Sequence, residues 1–292
     1  MIVVTTPTGR IGSAVLKGLI AEHQPVRVVV RDAARLPDGV ASRTEIIEGS
    51  HGDRDVVMAA LEGADTVLHI TPPDIYSGDV RAHYLGFAEA AAAAVTACGV
   101  PRIVLVSTLG RGYTAEAGHL SAALEAEEII NATGVHSRSL AMPFFMDNLF
   151  NQSSAIKDLG TFFLPNHADR VLLTVATPDI ARAALELLAD QTWTGQQSLP
   201  LVGPDQLTPR EMGDIISAAA GIPVRFEQVS PDRYASTLLG YGMSESWVQG
   251  LVDMSTAQNN GIYSVQPRDP DNVTATSFAR WVETTFKPAL LN

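Results

Sequence analysis

The chain has 292 residues, 46% of them hydrophobic and 18% charged, enough for a full α/β core with a smaller appended region and too well mixed for a disordered or fibrous protein. Acidic residues outnumber basic ones 32 to 20, and the resulting net charge of -12 opposes the phosphate-backbone contacts that dominate nucleic-acid affinity, so no nucleic-acid partner is expected. Cys98 is the only cysteine, which excludes an internal disulfide and any multi-cysteine metal site and fits a reducing, cytoplasmic setting. The opening run Met1-Ile2-Val3-Val4 reads as a strand, without the basic and apolar segments of a signal peptide, and no stretch is apolar for long enough to suggest a membrane span.

Short β-branched runs alternate with helical patterns through the first half. Strands are expected at Ile2 to Thr5, Val26 to Val30, Thr44 to Ile47, Thr66 to Ile70, Ile103 to Val106 and Ser137 to Leu140, several of them apolar throughout, as in strands covered on both faces. Between them, Ile11 to Ala21, Asp55 to Leu61, the alanine-rich Val80 to Ala97, and His119 to Ala132 read as helices, with Asp53 as an N-cap. This alternation implies right-handed βαβ crossovers and a doubly wound parallel sheet of Rossmann type over residues 1–142. From Pro143 the regularity fails, and residues 143–292 are expected to form a smaller α/β substrate-binding region folded over the carboxyl edge of that sheet, with short strands at Val171 to Val175 and Gln197 to Val202. Its helices are expected at Pro178 to Ala189, Thr208 to Ala220, Pro231 to Leu239, Glu245 to Met254 and Ala275 to Thr285.

The turn Thr6-Pro7-Thr8-Gly9-Arg10-Ile11-Gly12 joins the first strand to the first helix, where free backbone N–H groups and the helix dipole favour a pyrophosphate. Gly9 lets the backbone approach the phosphates and Gly12 permits close packing of helix on strand, while Thr6 stands where a dinucleotide turn usually has its first glycine. The ribose discriminator is expected about 20 residues further on. There the second strand ends in Val30-Arg31-Asp32, with Arg35 following. Arg31 suits adenine stacking and a 2′-phosphate, which favours NADP(H); Asp32 could instead serve the ribose of NAD(H), and a solvated Arg–Asp pair is the bland alternative. Thr71-Pro72-Pro73 and Ser107-Thr108-Leu109-Gly110 end the fourth and fifth strands and are expected to line the nicotinamide side.

These segments, with Gly52-Asp53, Met142-Pro143-Phe144-Phe145-Met146-Asp147-Asn148, Pro178-Asp179-Ile180-Ala181 and Leu207-Thr208-Pro209-Arg210-Glu211, resemble the NmrA-like group of atypical short-chain dehydrogenases over nearly the whole chain. The resemblance implies that Asp53 approaches the adenine, Thr71, Pro72 and Pro73 the middle of the cofactor, and Pro143 to Asn148 the nicotinamide and a pocket for an aromatic or quinone-like small molecule. Leu109, Phe144, Phe145 and Asn148 would line that pocket, although the apolar stretch is also what plain core looks like. Ordinary short-chain dehydrogenases carry a Tyr and, four residues on, a Lys at the start of the helix after strand five; here the matching positions are His119 and Ala123. His119 is the candidate proton donor, since imidazole titrates near neutrality, and the same position equally suits a histidine that only makes a local hydrogen bond.

The other histidines lack metal-site spacing, so no metal is expected. Three functions fit these readings. The first is an NADPH-dependent reductase of a quinone or another electron-poor carbonyl or imine, where a stabilised product anion lessens the need for a strong acid. The others are a non-catalytic NADP(H)-sensing regulator and a non-redox isomerase or cyclase. A homodimer is compatible with all three.

Overall fold

The computed structural model describes residues 1–265 and 273–291. Its first part runs β1 (Ile2–Val4), α1 (Arg10–Ala21), β2 (Val26–Val30), β3 (Glu45–Glu48), α2 (Arg54–Leu61), β4 (Thr66–His69), α3 (Val80–Cys98), β5 (Arg102–Thr108), α4 (His119–Asn131) and β6 (His136–Met142). It continues through β7 (Phe144–Phe145), α5 (Ser153–Leu159), β8 (Thr161–Leu164), β9 (Thr174–Val175), α6 (Thr177–Ala189), β10 (Gln196–Pro200), α7 (Pro209–Ala220), β11 (Arg225–Gln228), α8 (Pro231–Gly240) and α9 (Glu245–Asn259). The last helical stretch is α10 (Phe278–Trp281), a π turn over Val282–Phe286, and α11 (Lys287–Leu291). No described helix is long and apolar enough to cross a membrane.

Seven parallel strands form the central sheet in the order β10-β6-β5-β4-β1-β2-β3. Alternation along β1 separates its two faces: Ile2 and Val4 join Val15, Leu16 and Leu19 of α1, while Val3 joins Leu61, Ala91 and Ile130 from α2, α3 and α4. The alanines of α3 belong to this second layer. Ala88, Ala90, Ala91 and Ala94 are buried, so their small side chains let the helix lie close on the sheet.

Residues 143–292 do not all sit at the carboxyl edge. Helix α6 returns to the sheet, where Ile180, Ala184 and Leu188 pack in the same core as α1, and β10 adds a seventh strand beside β6. The polar stretch Gln196-Gln197-Ser198 tolerates this position because an edge strand is half solvated and its ladder is held by backbone hydrogen bonds. Other described parts of this region do cover the edge. Phe162, Ile216, Phe278, Trp281 and Phe286 form a separate core there, which also takes in Leu109, Ala117 and Leu120 from the loop and helix after β5. Helix α9 lies against α3 and α4 through Trp247, Val80 and Ala122.

Candidate functional site

The turn between β1 and α1 is held open by specific contacts. Helix α1 begins after Gly9 with no side chain capping it, so its first N–H groups face outward without a side-chain acceptor. Gly12 is where the backbones come closest. A Cβ there would lie 1.9 Å from the Thr6 carbonyl oxygen, so only hydrogen fits. Thr6 has a use of its own: its hydroxyl donates to the Ile70 carbonyl at 2.9 Å and ties the turn to the end of β4. The buried Thr5 hydroxyl adds a second tie, donating to Leu68 O and accepting from Ile70 N, both at 3.1 Å. A backbone so braced keeps its amides aimed before any anion arrives.

A cleft of about 300 Å³ opens beside this turn, lined by Thr6, Thr8, Arg31, Arg35, His51 and Phe87 among others. It brings together residues from the ends of β1, β2, β3 and β4, as expected at the carboxyl edge of an open α/β sheet. Arg31 and Arg35 share its rim. Asp32 also lines it, but its carboxylate accepts from Ala34 N at 3.0 Å and caps a short 3₁₀ turn, which draws it toward the backbone. Asp53 lies outside the lining set and caps α2, accepting from Asp55 N at 2.9 Å and Val56 N at 3.4 Å. Arg10 projects from the start of α1 over the Phe150 ring, 4.2 Å from its centroid, with Asp147 at 3.6 Å.

Two histidines missing from the sequence expectations line the same cleft. His51 Nε2 donates to the Ile70 carbonyl at 2.9 Å and His83 Nε2 to the Pro72 carbonyl at 2.8 Å; both acceptors are carbonyls, so both Nε2 atoms carry the hydrogen. His51 and His83 both pack at a tilt against the Phe87 ring, with centroids 4.7 Å and 5.0 Å away. Burial, with the Arg31 charge and His83 adding to it, pushes His51 down to about 4 against the opposing Ile70 hydrogen bond. His69 beneath it is pushed to about 3 by burial, with His51 contributing. Both stay neutral at physiological pH. His51 lies in the loop that follows β3, at the same edge of the sheet as Thr71, so its position at a strand end could have selected it. Four of the seven histidines, His51, His69, His83 and His119, thus lie along one aromatic row with Phe87, Tyr84 and Trp247. Among the described residues, none of them joins a group that could hold a metal ion.

His119 does not face the cleft. It is 5% exposed at the first turn of α4, its Nε2 donates to the Trp247 carbonyl at 3.1 Å, and its ring packs 4.3 Å from that of Trp247. Burial lowers its pKa, outweighing the Trp247 hydrogen bond. A Cβ on Gly250 would lie 2.9 Å from the ring, so α9 closes over it. The arrangement is that of a local packing histidine, since a proton donor needs a path to its substrate. Leu109 and Phe144 are likewise core, 3% and 8% exposed, because α7, α10 and the π turn seal them under the carboxyl edge. Phe145 is partly buried in the opposite core, and only Asn148 is exposed. The buried Pro143 ends β6 beside the junction of Leu109 N with Met142 O, 3.0 Å apart.

The ends of β4 and β5 meet over a small cavity of about 30 Å³ lined by Thr71, Ser107, Ala123, Glu127 and Tyr84. Glu127 is 4% exposed; its Oε2 accepts from the Ser107 hydroxyl at 2.6 Å and its Oε1 from Arg111 Nη2 at 2.5 Å. Burial lifts the Tyr84 phenol to about 12.

The braced glycine turn, the uncapped helix start and the arginine-rimmed cleft define a Rossmann-type protein built to hold a dinucleotide. The sequence matches the NmrA-like family over residues 1–279, and the chain belongs to that family. It is 28% identical over 269 residues to an NAD(P)H azoreductase of Xenophilus azovorans, covering 92% of this chain and 88% of that one. Among solved structures it superposes on the NADPH complex of the quinone oxidoreductase QOR2 from Escherichia coli with a TM-score of 0.81 at 21% identity, covering 98% of this chain and 100% of that one. The NADP(H) complex of a Citrobacter sp. triphenylmethane reductase gives 0.81 at 20% identity, over 97% and 99% of the two chains.

Proposed function

We propose that the protein is an NADP(H)-dependent reductase of a flat, electron-poor small molecule of the quinone or azo-aromatic type, with NAD(H) accepted more weakly. The observation that carries the cofactor reading is the pairing of Arg31 and Arg35 on the rim of the cleft while Asp32 caps a local turn. Guanidinium groups at this point pair with a ribose 2′-phosphate, whereas an NAD site needs a free carboxylate there. The names and ligands of the azoreductase and the two reductase structures support the reaction class.

In this reading the first N–H groups of α1 hold the pyrophosphate, with Arg10 adding charge beside them. Arg31 and Arg35 hold the 2′-phosphate, and the neutral His51 ring with Phe87 offers the adenine a surface next to them. Bound NADPH supplies hydride, so the protein's task is to orient the ring and the acceptor and to exclude water. Thr5 and Thr6 in one loop and His51 in another serve orientation by tying both loops to the end of β4.

Titration of R31Q with NADPH and NADH tests the cofactor side. Hydrogen bonds to charged groups contribute about 1.5–3 kcal/mol, so NADPH affinity should fall about tenfold or more while NADH affinity stays within a factor of about two. Equal losses for both cofactors would overturn the assignment. A panel of quinones and azo dyes at saturating NADPH tests the reaction. Absence of cofactor oxidation, with unequal affinity for NADPH and NADP⁺, would instead favour a sensor.

A further inference from the structure

The acid–base pair of ordinary short-chain dehydrogenases has no counterpart at His119 and Ala123, and His119 is sealed beneath α9. Yet hydride addition puts negative charge on the acceptor, and an enzyme accelerates it by stabilising that charge where it develops. The carboxyl ends of β4 and β5 hold one charged network suited to this. Glu127 of α4 points inward, buried, and divides its two oxygens between the Ser107 hydroxyl at the end of β5 and the Arg111 guanidinium in the loop beyond. Its side chain is 3% exposed, while that of Arg111 is 40% exposed, so the pair holds its negative end in the protein and presents its positive end to solvent.

The cost of burying a carboxylate makes this asymmetry informative. An ordinary surface pair would leave both partners wet, and an α4 residue needed only for packing would be apolar. A guanidinium anchored from behind by a buried carboxylate keeps three or more N–H donors in a fixed orientation, with little rotamer entropy left to lose when an anion arrives. Thr71 and Ala123 line the same small cavity as Glu127 and Ser107, so the network adjoins the strand ends at which an open α/β sheet binds its ligands.

We propose that Arg111 is the residue that contacts and stabilises the oxyanion or amide anion formed on the substrate, and that Glu127 and Ser107 are positioning residues acting through it. The inference rests on the reductase reading. In the case of a quinone, the acceptor gains a hydride, two electrons with one proton, from the reduced nicotinamide, which is oxidised. The C–H bond of the nicotinamide breaks as an O–H bond forms at one quinone oxygen, the displaced π electrons pass through the ring onto the other oxygen, and the hydroquinone monoanion so formed lies with that oxygen on Arg111 until it takes a proton from water. For an azo group the displaced pair moves onto the distal nitrogen and is met in the same way. A mobile proton donor is then unnecessary, which accounts for the position of His119.

The test uses the whole protein loaded with NADP⁺, so that no reduction occurs, and 4-nitrophenol as the probe, whose phenol and phenolate forms absorb at different wavelengths. The wild-type complex should bind the phenolate in preference to the phenol, lowering the pH at which bound nitrophenol ionises. R111Q removes the cation but strands a buried carboxylate, so R111Q/E127Q is the informative partner: it replaces both charges by amides that can still hydrogen-bond to each other and to Ser107. Both variants should lose about tenfold to a hundredfold in phenolate affinity while binding NADP⁺ as the wild type does. Phenolate affinity unchanged in the double variant, or no phenolate preference in the wild type, or NADP⁺ affinity lost in parallel, would overturn the proposal. Quinone turnover separates the two readings. Turnover present and kcat equal in wild type and double variant would overturn the role of Arg111 and leave the reductase intact, whereas phenolate binding as expected with no turnover in the wild type would overturn the reductase reading and the catalytic role with it.

Discussion

Replacing Gly12 by alanine tests the geometry on which the cofactor site depends. The added Cβ would fall 1.9 Å from the Thr6 carbonyl oxygen and 2.7 Å from its carbon, both backbone atoms with no rotamer by which to yield. The start of α1 must therefore move away from the turn by about 1 Å. Thr6 resists, because its hydroxyl is bound to Ile70 O, and α1 resists, because Ile11, Val15, Leu16 and Leu19 are interlocked with the sheet. A gap of this size forfeits a quarter to a half of each dispersion contact it opens, and overpacking of this kind costs about 1–3 kcal/mol. The expected result is a thermal midpoint about 5 °C lower. NADPH affinity should fall at least about tenfold, since the displaced amides no longer converge on one point. Differential scanning fluorimetry and titration calorimetry read the two effects. A G12A protein with wild-type affinity and midpoint would refute the claim that close approach at Gly12 builds the site.

Two further outcomes follow from the buried histidines. H119A should lower stability by ~2 kcal/mol through loss of packing on Trp247, while turnover per folded molecule and its pH profile stay as in the wild type; a shifted profile would return His119 to the chemistry. Acid should weaken the fold over a defined window. The unfolded ring of His51 titrates at 6.5 and the folded ring at about 4, so below 6.5 the unfolded chain takes up a proton that the folded chain refuses. Stability is thus full above pH 6.5 and is lost as the pH falls toward 4, by on the order of 3 kcal/mol from this ring, with His69 adding in the same direction. Urea unfolding at a series of pH values measures it, and H51Q should flatten that part of the profile. A midpoint constant from pH 7 to pH 4 would contradict the buried, neutral assignment.

The parts of this molecule legible in its sequence share one property: they are set within a few residues of chain. Short β-branched runs, several of them apolar throughout, and the helical patterns between them placed β1 to β6 and α1 to α4 to within a residue or two at most ends, and the order of strand and helix dictated a doubly wound sheet. The nucleotide turn was readable for the same reason, since strand, glycines and helix start are contiguous. So was the use of Asp53 as an N-cap, which depends on amides two and three residues away.

What tertiary structure alone decided are the pairings between distant segments. The return of α6 and β10 to the sheet was invisible because Gln196-Gln197-Ser198 has an edge strand's polarity, and nothing local states which strand it will join. The fate of His119 turned on Trp247 O, 128 residues further along the chain. Leu109 and Phe144 have the composition of a pocket wall and of a core alike, and which they became depended on helices that begin only at Pro209 and Phe278. Glu127 shows the limit most clearly. In sequence it is one of three acidic residues on a helix, the usual mark of a solvated face; in the fold α4 turns that position against β5, where Ser107 and Arg111 meet it. Local sequence specifies the backbone hydrogen bonding that makes each element, whereas burial, and with it the charge state and partners of a titratable side chain, is a property of the assembled layers.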